Sequence, residues 1–186
     1  MAAAMQRGQA PRILVVDDNE LNRALVKDTL EGEGHEVILA SSGEEALRAF
    51  EAHRPDCVLL DIRMPGMDGT VVCSKIRSLP HGTQTPILFL TALRDVESFD
   101  RAIDAGGDDF LTKPVRPSEL IVHVEAALKV RRLSARLSQQ CEVVRHQRDA
   151  LMRLQLQKER LSGFIVHDLK NPLSAMKPLK RSFWSW

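Results

Sequence analysis

Residues 12–19 read Arg12-Ile13-Leu14-Val15-Val16-Asp17-Asp18-Asn19, four branched aliphatic residues ending abruptly in two carboxylates and an amide. The apolar run is too short for a helix and shows no polar alternation, which is the pattern of a strand buried on both faces. Four other runs share its length and character: Val37–Ala40, Cys57–Leu60, Ile87–Leu90 and the weaker Asp109–Thr112. Between them lie stretches of helical pattern: Glu20–Glu31 closed by Gly32, Gly43–His53, Gly69–Ser78, and Val96–Ala105 closed by Gly106-Gly107. Glycine after the last periodic residue is a common helix stop. Strands alternating with helices build βαβ units. The expected class is therefore α/β, a five-stranded, doubly wound parallel sheet with helices on both faces.

In such a sheet, ligands bind outside the carboxyl ends of the strands near the switch in strand order. The polar residues fall at those ends. Asp17 and Asp18 follow the first strand, Asp61 ends the third, Thr91 ends the fourth, and Lys113 follows the fifth. Singly, each has an ordinary explanation: Asp17-Asp18-Asn19 and Thr91 as helix caps, Asp61 as the residue before a Met64-Pro65-Gly66 turn. Together they place three carboxylates in one cleft, a costly arrangement without a cation. Oxygen-only ligands with room for water and phosphate suit Mg2+. Asp61 is then expected to act as nucleophile toward an incoming phosphoryl group. Lys113 and Thr91 would supply positive charge and a hydrogen bond to its oxygens.

Four segments carry a family resemblance. They are residues 13–19, the run Asp61-Ile62-Arg63-Met64-Pro65-Gly66-Met67-Asp68-Gly69, Leu90-Thr91-Ala92, and Phe110-Leu111-Thr112-Lys113-Pro114. Residues 12–128 resemble the receiver domain of two-component response regulators, which has a flavodoxin-like sheet. The resemblance implies that Asp61 accepts phosphate from a phosphohistidine. It implies that Asp18, Asp61 and the Arg63 carbonyl ligate Mg2+ directly, with Asp17 acting through water. Phe110 resembles the family's switch aromatic, which turns inward when Thr91 moves to meet phosphate. A cis Lys113-Pro114 bond is implied as well, and Arg63 and Leu93 would flank the approach of water. A phosphohydrolase that also forms an aspartyl phosphate is the rival for this pocket. Such enzymes resemble one another in a second aspartate two positions after the nucleophile, and Arg63 stands there instead.

A further helix is expected to begin near Pro117 and to continue past the receiver. Between Pro117 and Asn171 there is one glycine and no other proline. With Val130 at heptad position a, Leu137, Val144, Leu151, Lys158 and Ile165 follow at a, and Leu133, Gln140, Gln147, Leu154 and Leu161 stand at d. Eight of these eleven are apolar, the pattern of a dimeric coiled coil. A helix of that length would run roughly 80 Å, longer than a domain of this size is wide. Beyond it, His167 falls at position c, off the seam, with Asp168 beside it to set the imidazole tautomer or take its proton. Pro172 would break the ladder just past them. The run from Phe164 to Leu173 resembles the phosphoacceptor box of sensor histidine kinases. Only fourteen residues follow Pro172, and no segment resembles an ATP-binding motif. The chain is thus not expected to phosphorylate itself.

Bulk properties bound the rest. At 186 residues, 44% hydrophobic and 27% charged, the chain suits one soluble domain plus an appendage. Residues 1–118 hold 19 acids and 13 bases, and residues 119–186 hold 6 acids and 13 bases. The basic half carries no helix-turn-helix, zinc or aromatic stacking signature, so no nucleic-acid partner is expected. Cys57, Cys73 and Cys141 lack metal spacing and suit reduced thiols in the cytoplasm. No run approaches the roughly 18 apolar residues of a membrane span.

The expected organisation is a flexible leader (1–11), a receiver (12–128), a coiled-coil helix (129–162), a partial phosphoacceptor helix (163–176) and a tail (177–186). Phe183, Trp184 and Trp186 crowd that tail, which suggests that it is foreign to the family or follows a truncation. The expected partners are a second copy through the coiled coil and a phosphodonor histidine kinase or phosphotransfer protein. Two alternatives remain open: a relay passing phosphate between His167 and Asp61, and a dimerisation scaffold without active transfer.

Overall fold

The computed structural model describes residues 10–92 and 101–174, with side chains described as far as residue 161. The five strands are β1 (Arg12–Val16), β2 (Glu36–Ala40), β3 (Cys57–Asp61), β4 (Ile87–Ala92) and β5 (Asp109–Lys113). All pair in parallel, in the order β2-β1-β3-β4-β5. Three helices, α1 (Glu20–Gly32), α2 (Gly43–His53) and α3 (Gly69–Ser78), precede the long helix Pro117–Ser174. Residues 101–104 are helical too. Each strand extends one or two residues past the apolar run that marks it. Residues 96–100 of the expected helix Val96–Ala105 lie outside the described residues, as do Leu93, most of the leader, and the tail, and Ala105 is in a turn.

Neighbouring residues of each central strand enter opposite layers of the core, as strand geometry requires. Leu14, Val16, Val58, Leu60, Ile87 and Phe89 pack with Ala46 and Phe50 of α2 and Val72, Cys73 and Ile76 of α3. Ile13, Val15, Leu59, Leu88, Leu90 and Leu111 pack with Val26 and Leu30 of α1 and Leu120, Val124 and Leu128 of the long helix. β5 reads weakly in the sequence because it is an edge strand, with Leu111 its single fully buried residue. Side-chain oxygens of Asn19, Ser42 and Asp68 accept backbone N–H bonds at the starts of α1, α2 and α3, each satisfying a donor with no partner inside its helix.

The cysteines in the core are chemically quiet. Burial pushes the Cys57 thiol up to about 12 and the Cys73 thiol up to about 11, so neither is a thiolate at neutral pH. Among the described residues, no helix is long and apolar enough to cross a membrane.

The chain divides into two units, Met1–Ser134 and Ala135–Trp186. In the second, Leu137, Val144, Leu151, Leu154 and Leu161 are all exposed, with Val143, Met152 and Leu156. His167, Asp168 and Pro172 belong to the helix, which ends at Ser174; their side chains lie beyond the described ones.

Candidate functional site

Strand register assembles the acidic cluster. Val16 of β1 pairs with Leu60 of β3, so Asp17 and Asp61, each one residue further on, emerge side by side. Asp61 in turn pairs with Leu90 of β4, and Ala92 pairs with Lys113 of β5. Four adjacent strand ends thus deliver Asp17, Asp61, Thr91 and Lys113 to one edge of the sheet. Carboxylate oxygens of Asp17, Asp18 and Asp61 lie within 4.8 Å of one another. Asp17 is fully buried, Asp61 is 6% exposed, and Asp18 is open to solvent.

The Lys113 ammonium holds this cluster together. Nζ donates to Asp17 Oδ2 and to Asp61 Oδ2, each at 2.7 Å. Burial is the largest influence on Asp61 and raises its pKa above the usual carboxylate value; the bonds and charge of Lys113 offset this only in part. For Lys113, burial is also the largest single influence and acts downward. The two carboxylates together outweigh it, so its pKa is raised and the group stays protonated. A positive charge between two buried carboxylates, with a third exposed beside them, is the setting a hard divalent cation also satisfies. The donors fit Mg2+ by chemical type and by convergence.

The remaining predicted residues fall as follows. The Arg63 backbone N–H lies 3.4 Å from Asp61 Oδ1. The Thr91 side chain is largely buried, and its hydroxyl donates to the carbonyl of Ala92 at 3.4 Å. Phe110 is 40% exposed and lines a cavity of about 170 Å3 with Phe89, Ala102, Ile103 and Gly107. The Lys113-Pro114 bond is cis.

Three supporting residues were given no role by the sequence: Asn22 and Arg23 fall outside every motif, and Gly69 closes one without a stated task. Asn22 donates from Nδ2 to both Asp17 oxygens, at 3.3 and 3.2 Å. Arg23 donates to the carbonyl oxygens of Asp17 and Asp18, at 2.7 and 3.0 Å. Both sit in the first turn and a half of α1, and the only sequence signal is the cap at Asn19, which turns that face back toward the acids. Gly69 is the third. Its N–H donates to the carbonyl of Ile62 at 2.8 Å, and a Cβ there would stand 2.1 Å from the Asp61 carbonyl oxygen. Gly69→Ala must therefore displace the end of β3. A loss of about 2–3 kcal/mol is expected from overpacking, read by thermal unfolding. A melting temperature unchanged from the parent would contradict this close approach.

Known proteins resemble this chain in sequence and in fold. The model of the response regulator receiver domain family matches residues 13–125. The alkaline phosphatase synthesis transcriptional regulatory protein PhoP of Bacillus subtilis is 42% identical over 126 residues, covering 67% of this chain and 51% of its own length. The response regulator MprA of Mycolicibacterium vanbaalenii is 43% identical over 118 residues, 63% of this chain and 50% of that protein. The chain thus spans about half the length of the curated relatives it matches. Among solved structures, a response regulator from Chloroflexus aurantiacus aligns with a TM-score of 0.63 at 36% identity, over 65% of this chain and 99% of that one. NtrX from Brucella abortus aligns at 0.66 and 33%, over 70% of this chain and 29% of its own.

Proposed function

Because this chain belongs to the family of response regulator receiver domains, we propose that Asp61 takes a phosphoryl group from a phosphohistidine on a histidine kinase or phosphotransfer protein. The phosphorylated domain then regulates the helix joined to it. The observation that carries this reading is the pairing of buried Asp17 and Asp61 with one ammonium, Lys113, at 2.7 Å from each. In the transfer, an Asp61 carboxylate oxygen attacks phosphorus while the P–N bond to imidazole breaks. The leaving nitrogen keeps the electron pair and takes a proton. Lys113 meets the charge on the phosphoryl oxygens, and Thr91 offers its hydroxyl to them. Asp18, Asp61 and the Arg63 carbonyl would hold Mg2+ directly and Asp17 through water; the bound ion supplies further positive charge against those oxygens. Phe110, beside a cavity large enough for a ring to move, is the switch side chain of this reading.

The long helix is the output. Its exposed seam from Leu137 to Leu161 supports a homodimeric coiled coil, since a solvated apolar stripe of that length is unfavourable in a lone helix. His167 and Asp168 at the far end would be the phosphoacceptor pair of a kinase helix under receiver control. Light scattering on the full chain tests the dimer, with and without Mg2+ and beryllofluoride, a phosphoryl mimic. A dimer is expected in the parent and a monomer in the double variant Leu151→Asp, Leu154→Asp; a parent that stays monomeric in every condition contradicts it.

The relay alternative is distinguished by an acid-labile, base-stable phosphate on His167. A second reading, output to transcription, is favoured by the description of PhoP as a transcriptional regulatory protein. Sequence-specific retardation of DNA by the full chain would support that reading over control of a kinase helix.

A further inference from the structure

The part of the long helix that belongs to the receiver unit has two working faces. Leu120, Val124 and Leu128 are buried against the sheet, with Ala127 packed beside them. Arg131 continues this stripe and is ion-paired to Asp56. Two residues after Val124, Leu128 and Arg131 come Ala126, Val130 and Leu133. Two residues are about 200° of helical rotation, so this second stripe lies across the helix from the sheet. All three of its residues are exposed, Val130 at 66% and Leu133 at 54%. Their four-three spacing runs on without interruption through Leu137, Gln140, Val144, Gln147, Leu151, Leu154, Lys158 and Leu161.

We propose that a second copy of this chain docks along this stripe, parallel and in register. The contact begins at Ala126, inside the receiver's own helix, and leaves each sheet on the side of its helix away from the partner. This deepens the dimer reading above and rests on it. Parallel pairing follows from where the polar residues stand. Gln140 and Gln147 both occupy position d, where in-register parallel helices set each glutamine against its own copy and the two amides can donate to and accept from one another. Antiparallel helices set d against a, and position a is Val or Leu from 130 to 151. Each glutamine amide would then face an aliphatic side chain.

The flanking positions agree. Lys129, Arg136, Val143, Ala150 and Gln157 at g would meet Ser134, Cys141, Arg148, Gln155 and Ser162 at e of the partner, and no such pair joins two like charges. Lys158 can lay its stem along the seam with the ammonium in water. The seam starts no earlier, because His123, one heptad before Val130, lies 2.6 Å from Asp109 of its own β5.

Cysteine scanning of the full chain decides it. Cys141 is exposed and is replaced by Ser, while Cys57 and Cys73 are buried and stay. Leu133→Cys and Leu154→Cys, both at d, are compared under mild oxidation with Arg132→Cys, which is off the seam. Both d-position variants are expected to form disulfide dimers at least about tenfold faster than Arg132→Cys, since only they bring paired sulfurs within bonding range. Linkage at Leu154→Cys without linkage at Leu133→Cys overturns a seam inside the receiver but leaves the coiled coil standing. No linkage in a chain that scatters light as a dimer overturns the parallel register. No linkage in a monomer removes the coiled coil itself.

Discussion

Asp61→Asn should take up no phosphoryl group and should unfold at a higher temperature than the parent in Mg2+-free buffer. The first half follows from removal of the nucleophile, the second from the environment of the carboxylate. Burial lifts the pKa of Asp61 above its ordinary value, so between the unfolded and folded pKa values the folded chain binds more protons. The linked stability is present at low pH and is lost as pH rises through the folded pKa. At neutral pH the ionised group therefore strains the fold. An amide of the same shape relieves that strain, and Lys113 keeps its bond to Asp17 at 2.7 Å. A gain of about 1 kcal/mol is expected, within the range seen when a functional site is traded for stability. A variant that melts several degrees below the parent would show that the Asp61–Lys113 pair stabilises more than its burial destabilises.

Arg77→Ala should be among the most damaging single changes in the receiver, although Arg77 touches none of the acidic cluster. Its Nε donates to the carbonyl of Gly106 at 2.8 Å, and Nη1 donates to the carbonyls of Gly82 and Thr85. Nη2 donates to Asp108 Oδ2 at 2.7 Å, and the same oxygen accepts the N–H of Ile87 at 2.8 Å. One guanidinium thus ties the end of α3 to the start of β4 and to the turn before β5. Truncation leaves several partly buried acceptors without a donor, each worth about 1–3 kcal/mol when unsatisfied. The expected loss is about 3 kcal/mol, read as a fall in the denaturant midpoint with unchanged slope. Arg77→Lys should recover little, because an ammonium cannot reach four acceptors in a planar fork. Full recovery by lysine would mean that charge alone matters at this position.

These two residues mark the limits of what could be read before the structure. Asp61 was legible because buried parallel strands are unbroken apolar runs, and a carboxylate at the end of one stands out. Lys113, Asp17 and Thr91 were legible for the same reason, and the sheet brings them to one edge. Arg77 was not, because its partners lie 5 to 31 residues away in sequence and no local spacing announces them. Asn22 acts through proximity to the strand ends and looks ordinary in a helix, and Gly69, though it closes a matching run, gives no local sign of its close approach to the Asp61 carbonyl. The ties that hold the long helix to the receiver were equally hidden. They join His123 to Asp109, Glu125 to His35 at 3.2 Å, and Arg131 to Asp56, in pairs separated by as many as 90 residues. The heptads, by contrast, are a local repeat, so their exposed stripe could be written down residue by residue.

The most direct test is to incubate the full chain with phosphoramidate, a small P–N phosphodonor, with and without Mg2+. The acyl phosphate is then trapped with borohydride and located by peptide mass spectrometry. Reduction of residue 61 to homoserine, dependent on Mg2+ and lost when the chain is treated with base before trapping, is the predicted result. A folded chain that carries its phosphate elsewhere, or none at all with Mg2+ present, would contradict the assignment of Asp61 as the phosphoacceptor.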